Sequence, residues 1–371
     1  MKKGKQKNII WLGLSSLVND ISSEIIIPII PLFLSSLGAG GIMIGLAGGL
    51  RDSITSLLEV FSGWYSDKIK KRKIFVWMGY ILSIISKSLL AFSNTLSSAI
   101  FFLSIERAGK GIRDAPRDAI IAESTKRRGK GFGIHRAFDT SGAIIGSIIV
   151  LFLLWKFKFS FTTIILISAI ISFASLLPLI FVKETFEKKR GRYKFRISKK
   201  LKYLFFVMGT FSLANFSYMF FILKASENMG SIIIPVFLYV LFNIFYATFA
   251  IPFGNLSDKI GKKKVILSGY LLFSLTFLGF AFASSFPVYL FLFPLYGLCF
   301  ALVTSNQTAF VADIVKENKA TSLGMFHTII GIIALPASLI AGILFQLSPS
   351  YPFIFSSAVS ALSVLLLMKF K

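Results

Sequence analysis

A dense group of charged residues lies in the middle of a long apolar segment, between positions 106 and 118. On a helix that turns about 100° per residue, seven charged side chains fall within an arc of roughly 140°. We call them the charged stripe: Glu106, Arg107, Lys110, Arg113, Asp114, Arg117 and Asp118. Charges in a segment otherwise suited to lipid are costly, so the stripe is expected to face protein or water. Side chains of these types can carry protons or bind an anion.

The composition shows what kind of protein must position this stripe. The chain has 371 residues, of which 55% are hydrophobic, with 41 Phe. A soluble protein of this size would expose too much apolar surface, so the sequence predicts an all-α polytopic membrane protein. Twelve segments of about 20 residues can be drawn as membrane helices. They are 9–36, 42–65, 74–93, 97–123, 131–155, 160–182, 201–223, 231–256, 264–284, 287–312, 322–346 and 351–369.

The net charge of +25 follows the positions of the predicted loops. Of the 41 Lys and Arg, 31 fall in the termini and the even-numbered loops, and only three in the odd-numbered loops. By the positive-inside rule, both termini are predicted to be cytoplasmic, in a plasma or inner membrane. This pattern argues against nucleic-acid binding and for the lipid bilayer as the partner. The most basic loop, 183–200, is predicted to be a cytoplasmic linker between halves 1–182 and 201–371.

The first segment combines two prolines with two acids. Pro28 and Pro31 predict a bent helix rather than two spans. Asp20 and Glu24 are four residues apart and share one helix face. Because two neighbouring carboxylates do not both ionise easily, one of them could exchange a proton. Alternatively, each pairs with an arginine of the fourth segment and never titrates.

The two halves repeat one another at an offset of about 190 residues. Gly63-Trp-Tyr-Ser-Asp67 and its basic tail correspond to Gly254-Asn-Leu-Ser-Asp258 and its basic tail. Two further correspondences follow in the same order, Ala119–Glu123 with Ala309–Asp313, and Gly133 and His135 with Gly324 and His327. Such a series indicates duplicated six-helix halves.

These loops resemble the signature Gly-x-x-x-Asp-(Arg/Lys)-x-Gly-(Arg/Lys)-(Arg/Lys) of the major facilitator superfamily. The second copy fits fully, and the first departs only at Lys70, where glycine is usual. The resemblance implies twelve helices in two six-helix halves and a monomer. It also implies that these loops latch the halves when the site faces outward, through residues that we treat as gating candidates: Gly63, Asp67, Lys71, Arg72, Gly254, Asp258, Lys262 and Lys263.

A second, partial resemblance concerns the fourth segment. Arg107-x-x-Lys110-Gly111 is similar to the Arg-x-x-Gln-Gly pattern of proton-coupled drug antiporters, with lysine in place of glutamine. There the arginine is implied in proton coupling, which points to Arg107. In the fifth segment, Asp139 could pair with Arg136 or with His135, at helical spacings of three and four. The proton-coupling candidates are therefore Asp20, Glu24, Arg107 and Asp139.

Two functions remain open. The first is proton-coupled efflux of a small, partly apolar molecule by alternating access. The alternative is a carrier of an organic anion, such as a phosphorylated or carboxylated metabolite, whose cavity uses Lys110, Arg113, Arg117, Arg136, Asn215 and Asn306. Against the anion carrier, the acids of the first half nearly balance its bases. A sensor or scaffold that has lost transport is a third, less favoured class.

Motifs for enzymatic chemistry are missing from the sequence. There is no Gly-x-x-x-x-Gly-Lys-(Ser/Thr) loop for ATP, and one Cys and two His do not suggest a metal site. We expect no enzyme activity, no cofactor and no metal.

Overall fold

The computed structural model describes residues 3–125, 128–184, 198–315 and 319–370, which are almost entirely helical. A 3-10 turn, Ile27–Ile29, separates the first two helices. The α-helices are α1 (Lys3–Ile26), α2 (Ile30–Ser36), α3 (Gly41–Ile69), α4 (Lys73–Leu90), α5 (Leu96–Ser124), α6 (Arg128–Lys156), α7 (Phe161–Phe173), α8 (Leu176–Leu179), α9 (Lys199–Ala214), α10 (Met219–Met229), α11 (Ile233–Ile260), α12 (Lys262–Phe282), α13 (Phe286–Ile314), α14 (Lys319–Leu347) and α15 (Tyr351–Lys369).

Ten helical segments in the described ranges are long and apolar enough to cross a membrane, which confirms the polytopic helical class. The count of twelve is not confirmed by this criterion. The two missing segments are α3 and α5, which have 29 residues each and are therefore about 43 Å long. Both helices are long enough to cross a membrane. They are not apolar enough to meet the criterion, because α5 carries the charged stripe and α3 carries Arg51, Asp52 and Glu59 in its middle.

The bend predicted in the first segment is confirmed. Residues 7–36 form one span, and the 3-10 turn at Ile27–Ile29 follows from Pro28, which cannot donate a backbone hydrogen bond. The seventh segment is also interrupted, between Ala214 and Met219, although no proline lies there. The repeat offset of about 190 places both interruptions at the same position in the two halves.

The chain divides into two compact units, the first formed by Met1–Gly38 and Ile54–Arg190. In this unit α1 packs along α6, and α4 packs along α5. Small residues of α6 lie against α1, since a Cβ at Gly142 would be 2.6 Å from the Leu17 carbonyl oxygen. This close approach brings the acids of α1 next to α6.

The second unit comprises Ala39–Ser53 and Gly191–Lys371. The first part of α3 packs tightly on α14, since a Cβ at Gly41 would be 2.5 Å from the Gly342 carbonyl oxygen. The core of this unit is aromatic, with ring centroids of Phe273 and Phe277 3.8 Å apart and those of Phe221 and Tyr296 4.3 Å apart. Aromatic packing thus fills the core of this unit.

The predicted linker and one predicted loop lysine have different outcomes. Most of the predicted linker, residues 185–197, lies outside the described residues. Lys224, one of the three basic residues that fall in the predicted odd-numbered loops, is instead buried inside α10. Its Nζ donates to the Ala281 carbonyl oxygen at 2.7 Å and to Ser350 Oγ at 2.9 Å.

Candidate functional site

The charged stripe lies on α5 and faces inward in the first unit. Glu106, Arg107, Arg113 and Arg117 are buried, and the other three stripe residues are half-buried. Glycines let neighbouring helices come close to the stripe. A Cβ at Gly111 would be 2.5 Å from the Thr55 carbonyl oxygen of α3. The helix therefore presents its charges to protein, as the cost of exposing them to lipid requires.

Most of the stripe is paired within α5 itself. Glu106 lies 2.8 Å from Nε of Arg107. Arg117 lies 3.0 Å from both Asp114 and Asp118, and Arg113 lies 3.6 Å from Asp114. Arg113 also donates to Ser83 Oγ at 3.2 Å and stacks over the ring of Tyr80, 4.4 Å from its centroid. These arginines are therefore already occupied by local partners.

Lys110 differs from the other bases of the stripe. Among the residues that the structure describes, no carboxylate lies within 4 Å of its amine. The same holds for Asp20 on α1, which forms no ion pair within that distance in the described ranges. Asp20 nevertheless lies within electrostatic range of Asp139 on α6 and of Lys110 on α5. The site thus contains an acid and a base that are near one another but not in contact.

The α1–α6 contact positions the other two acidic candidates for proton coupling, Glu24 and Asp139. Cβ of Glu24 lies 2.9 Å from the position that a Cβ at Gly146 would occupy. Asp139 accepts from Nδ1 of His135 at 3.3 Å, so its partner one turn away is the histidine, while the Arg136 side chain is exposed. The other oxygen of Asp139, Oδ1, is buried and has no hydrogen-bond partner in the described part of the chain.

The two asparagines expected in the cavity have different surroundings. Asn215 ends α9 at the interruption of the seventh segment, and its buried Oδ1 has no partner among the described residues. Asn306 on α13 is also buried, but its amide donates to the Leu302 carbonyl oxygen of its own helix at 2.8 Å. Asn215 is therefore the better placed of the two to bind another group.

The first copy of the signature loop, between α3 and α4, forms a three-residue ion cluster. Arg72, between α3 and α4, lies 2.7 Å from Asp67 and 2.7 Å from Glu123 at the end of α5. Burial lowers the pKa of the Arg72 guanidinium, but its hydrogen bonds to Glu123 and Asp67 outweigh that effect and raise the pKa. The carboxylate of Glu184 accepts from the backbone N–H of Lys73 at 2.9 Å and so caps α4.

In the second copy of the signature loop, between α11 and α12, two acids at the repeat offset contact Lys262, one position before the residue that corresponds to Arg72. Lys262 lies 3.2 Å from Asp258 and 2.9 Å from Asp313. Here the acids are more exposed, with side-chain exposures of 71% and 59%, against 8% for Glu123. Lys263 instead donates to the Met368 carbonyl oxygen at 3.2 Å. The repeat seen in the sequence is thus also a repeat of ion pairs.

The other gating candidates make fewer contacts. A Cβ at Gly63 would be 3.1 Å from Cβ of Ala115, so this glycine allows α3 to approach α5. Lys71 is exposed and Gly254 is half-buried.

Sequence reasoning did not identify two residues that contribute to this region. Glu123 entered only as part of the repeat, yet it is the buried partner of Arg72. Lys87, a basic residue inside the predicted segment 74–93, had no predicted role, yet its amine donates to Ser22 and Ser23 of α1. An isolated lysine in an apolar helix is a visible signal, but its partners lie on other helices.

A helical membrane fold with buried charges and an internal repeat is the architecture of a secondary transporter. The chain belongs to the major facilitator superfamily, whose profile matches residues 12–238 and 203–371. It is 49% identical to an uncharacterized MFS-type transporter of Methanocaldococcus jannaschii, over 98% of this chain and 94% of that protein.

More distant similarities extend to proteins whose names refer to multidrug resistance or to nucleoside transport. The chain is 24% identical to multidrug resistance protein MdtH of Proteus mirabilis, over 72% of this chain and 68% of that protein. Its fold superposes on a crystal structure of a variant of the nucleoside transporter NupG with a TM-score of 0.83 and 15% identity, covering 98% of this chain and 99% of that one. At that identity the likeness concerns the fold alone.

Proposed function

We propose that this protein is a proton-coupled secondary transporter that exports a small molecule by alternating access. In this proposal α3 and α5 complete twelve spans in two six-helix halves, with both termini in the cytoplasm and the protein in the plasma membrane as a monomer. The basic loops between spans support this orientation. The similarity to a multidrug resistance protein supports the direction of transport.

The observation that carries the proposal is the state of Asp20. This carboxylate has no ion-pair partner within 4 Å in the described ranges, although three bases of the stripe act on it electrostatically. A carboxylate without a contact partner can change its protonation without breaking an ion pair, whereas Asp114 cannot. Asp20 is therefore the proposed proton carrier, and Lys110, Arg113 and Arg117 are the bases that act on its charge.

The organic-anion alternative rests on Lys110. Since Arg113 and Arg117 are paired with acids of their own helix, Lys110 is the stripe base left to bind an anion. One base is a weaker anion site than the set of basic residues that the sequence suggested. The proton-coupled mechanism therefore has the stronger support.

The test begins with a ligand screen on the purified protein by thermal shift at two pH values, because a ligand stabilises the folded state that binds it. The best ligand is then used in proteoliposomes with an imposed pH gradient. We expect Asp20→Asn to reduce gradient-driven accumulation by about tenfold or more, because the variant lacks the residue that couples transport to protons. It should retain exchange of labelled for unlabelled ligand, which requires no net proton movement.

The matched control is Glu227→Gln, which removes one exposed carboxylate from α10. This variant should accumulate ligand as the unmodified protein does. Gradient-driven accumulation that survives in Asp20→Asn would refute the proposed carrier. Ligands that are all anions, with binding lost in Lys110→Met and no response to the pH gradient, would establish the anion carrier instead.

A further inference from the structure

Lys87 is a basic residue buried inside the first unit. It lies near the end of α4 and is only 1% exposed. Its Nζ donates to Ser22 Oγ at 2.8 Å and to Ser23 Oγ at 3.0 Å, both on α1. Ser22 in turn donates to the Ser168 carbonyl oxygen of α7 at 2.8 Å, so its hydroxyl oxygen is oriented to accept from Lys87.

No acid pairs directly with this amine. In the part of the chain that the structure describes, no carboxylate lies within 4 Å of Nζ of Lys87. A permanently charged ammonium in the membrane interior is normally paired with an acid, because hydroxyl acceptors alone do not repay its desolvation. The arrangement is therefore poor for a fixed structural charge.

The hydrogen-bond geometry suits both protonation states of the amine. A neutral amine has two N–H donors and one lone pair, and the two serine oxygens take both donors. An ammonium has three donors and therefore needs one further acceptor. A single water on the third side could donate to the amine or accept from the ammonium by turning round.

A small cavity provides that third side. It has room for about one water molecule, and its polar lining consists of Ser23, Lys87, Glu106 and Arg107. Its apolar lining includes Ile26 and Ile27, where α1 passes into the 3-10 turn. A 3-10 stretch inside a long helix often marks a hinge, so this cavity lies where the first span can bend.

Charged groups face Lys87 from two of the helices around it. Asp20 acts on it from α1, and Glu106, Arg107 and Arg113 act on it from α5. The sequences of α7 and α8, which also pack on α4, contain no titratable residue. Glu106, which lines the cavity, is the acid with the strongest electrostatic effect on Lys87, and it also lies 2.8 Å from Nε of Arg107.

We propose that Lys87 is a second proton-binding site of this transporter, with Ser22 and Ser23 as its fixed acceptors and Glu106 as its counter-ion across one water molecule. One proton binds to the lone pair of the neutral amine and converts it to an ammonium, and no other bond changes. The proposal rests on the proposed proton coupling and adds to it a site on α4, next to the hinge of α1.

The test counts protons rather than transported molecules, so its outcome is separate from that of the transport assay. Purified protein in detergent is titrated between pH 5 and pH 9, and bound protons are compared between the unmodified chain and Lys87→Met. We expect the unmodified protein to release one more proton per chain in this interval. Lys264→Met removes an exposed lysine and serves as the control, with no difference expected.

Two further variants keep the lysine and test its surroundings. Glu106→Gln should move the extra step to lower pH by about one unit, because the ammonium loses its counter-ion. Ser23→Ala should move the step in the same direction, because the ammonium loses an acceptor. These variants also serve if Lys87→Met does not fold.

The proposal is overturned if the unmodified protein and Lys87→Met release equal numbers of protons between pH 5 and pH 9. It is equally overturned if the step stays in place in both Glu106→Gln and Ser23→Ala. If the unmodified protein shows no pH-driven transport, the proposed function is refuted. The proton count still decides whether Lys87 binds a proton.

Discussion

The ion cluster of Arg72 with Asp67 and Glu123, at the first copy of the signature loop, allows a quantitative prediction of stability. The Arg72 side chain is 4% exposed and contacts two acids whose own exposures differ widely, 8% for Glu123 and 56% for Asp67. Replacing Arg72 by Met would remove the cation that lies 2.7 Å from Glu123, whose side chain is only 8% exposed, whereas Asp67 could turn to water. The contact of Arg72 with Glu123 should therefore contribute more to the free energy of unfolding than its contact with Asp67.

The expected magnitudes follow from these exposures. Removing one partner of a buried ion pair destabilises a protein by about 3–5 kcal/mol. Since Glu123 retains slight exposure, we expect about 3 kcal/mol for Arg72→Met, at the lower end. Asp67→Asn removes a contact at a solvated acid and should lower the free energy of unfolding by about 1 kcal/mol or less. Adding Glu123→Gln to Arg72→Met should recover about 2 kcal/mol, because the buried charge is then gone.

The measurement is SDS-induced unfolding in mixed micelles, followed by tryptophan fluorescence, for the four chains of a double-mutant cycle on Arg72 and Glu123. Asp67→Asn is measured beside them as the control for an exposed partner. The reasoning is refuted if Asp67→Asn is as destabilising as Arg72→Met. It is also refuted if the double variant is no more stable than Arg72→Met alone.

Two further predictions concern the second loop and the contact between α1 and α6. Lys262→Met should lower the free energy of unfolding by only about 1 kcal/mol or less, because both of its acids are mostly exposed, and the same SDS titration measures it. A loss equal to that of Arg72→Met would contradict this. Gly142→Ala should destabilise by about 2 kcal/mol, because its Cβ would lie 2.6 Å from a backbone carbonyl of α1. Gly133→Ala, on the same helix, should differ little from the unmodified chain, and equal losses in both would show that the close approach is not the cause.

Much of the fold could be predicted from the sequence because its signals are local. The apolar segments, the bend at Pro28 and the superfamily loop signature each depend on residues within one or two helical turns. The interruption between Ala214 and Met219 had no such signal. It lies where the backbone N–H of Ser217 donates to Ser338 Oγ of α14 at 3.2 Å, so a distant helix stabilises it.

The sequence indicated which helices carry the buried charges, but not how those charges pair. Helical spacing placed all seven charges of α5 on one side, and the structure agrees. Spacing alone left Asp139 with two possible partners, and the structure places it with His135. Spacing also left open whether Asp20 pairs with an arginine of α5. In the structure these arginines are paired with acids of their own helix instead.

The sequence by itself therefore determined the membrane class, the superfamily, the internal repeat and the presence of buried charges, because each is written in composition or in short-range periodicity. Only the tertiary structure decided which charges are paired. The surroundings of Asp20, Lys87 and Glu106 come from α1, α4, α5 and α6, which bring together residues that are far apart in the sequence. Burial makes those contacts decisive, since a charge inside the membrane must be paired, hydrogen-bonded or able to lose its proton.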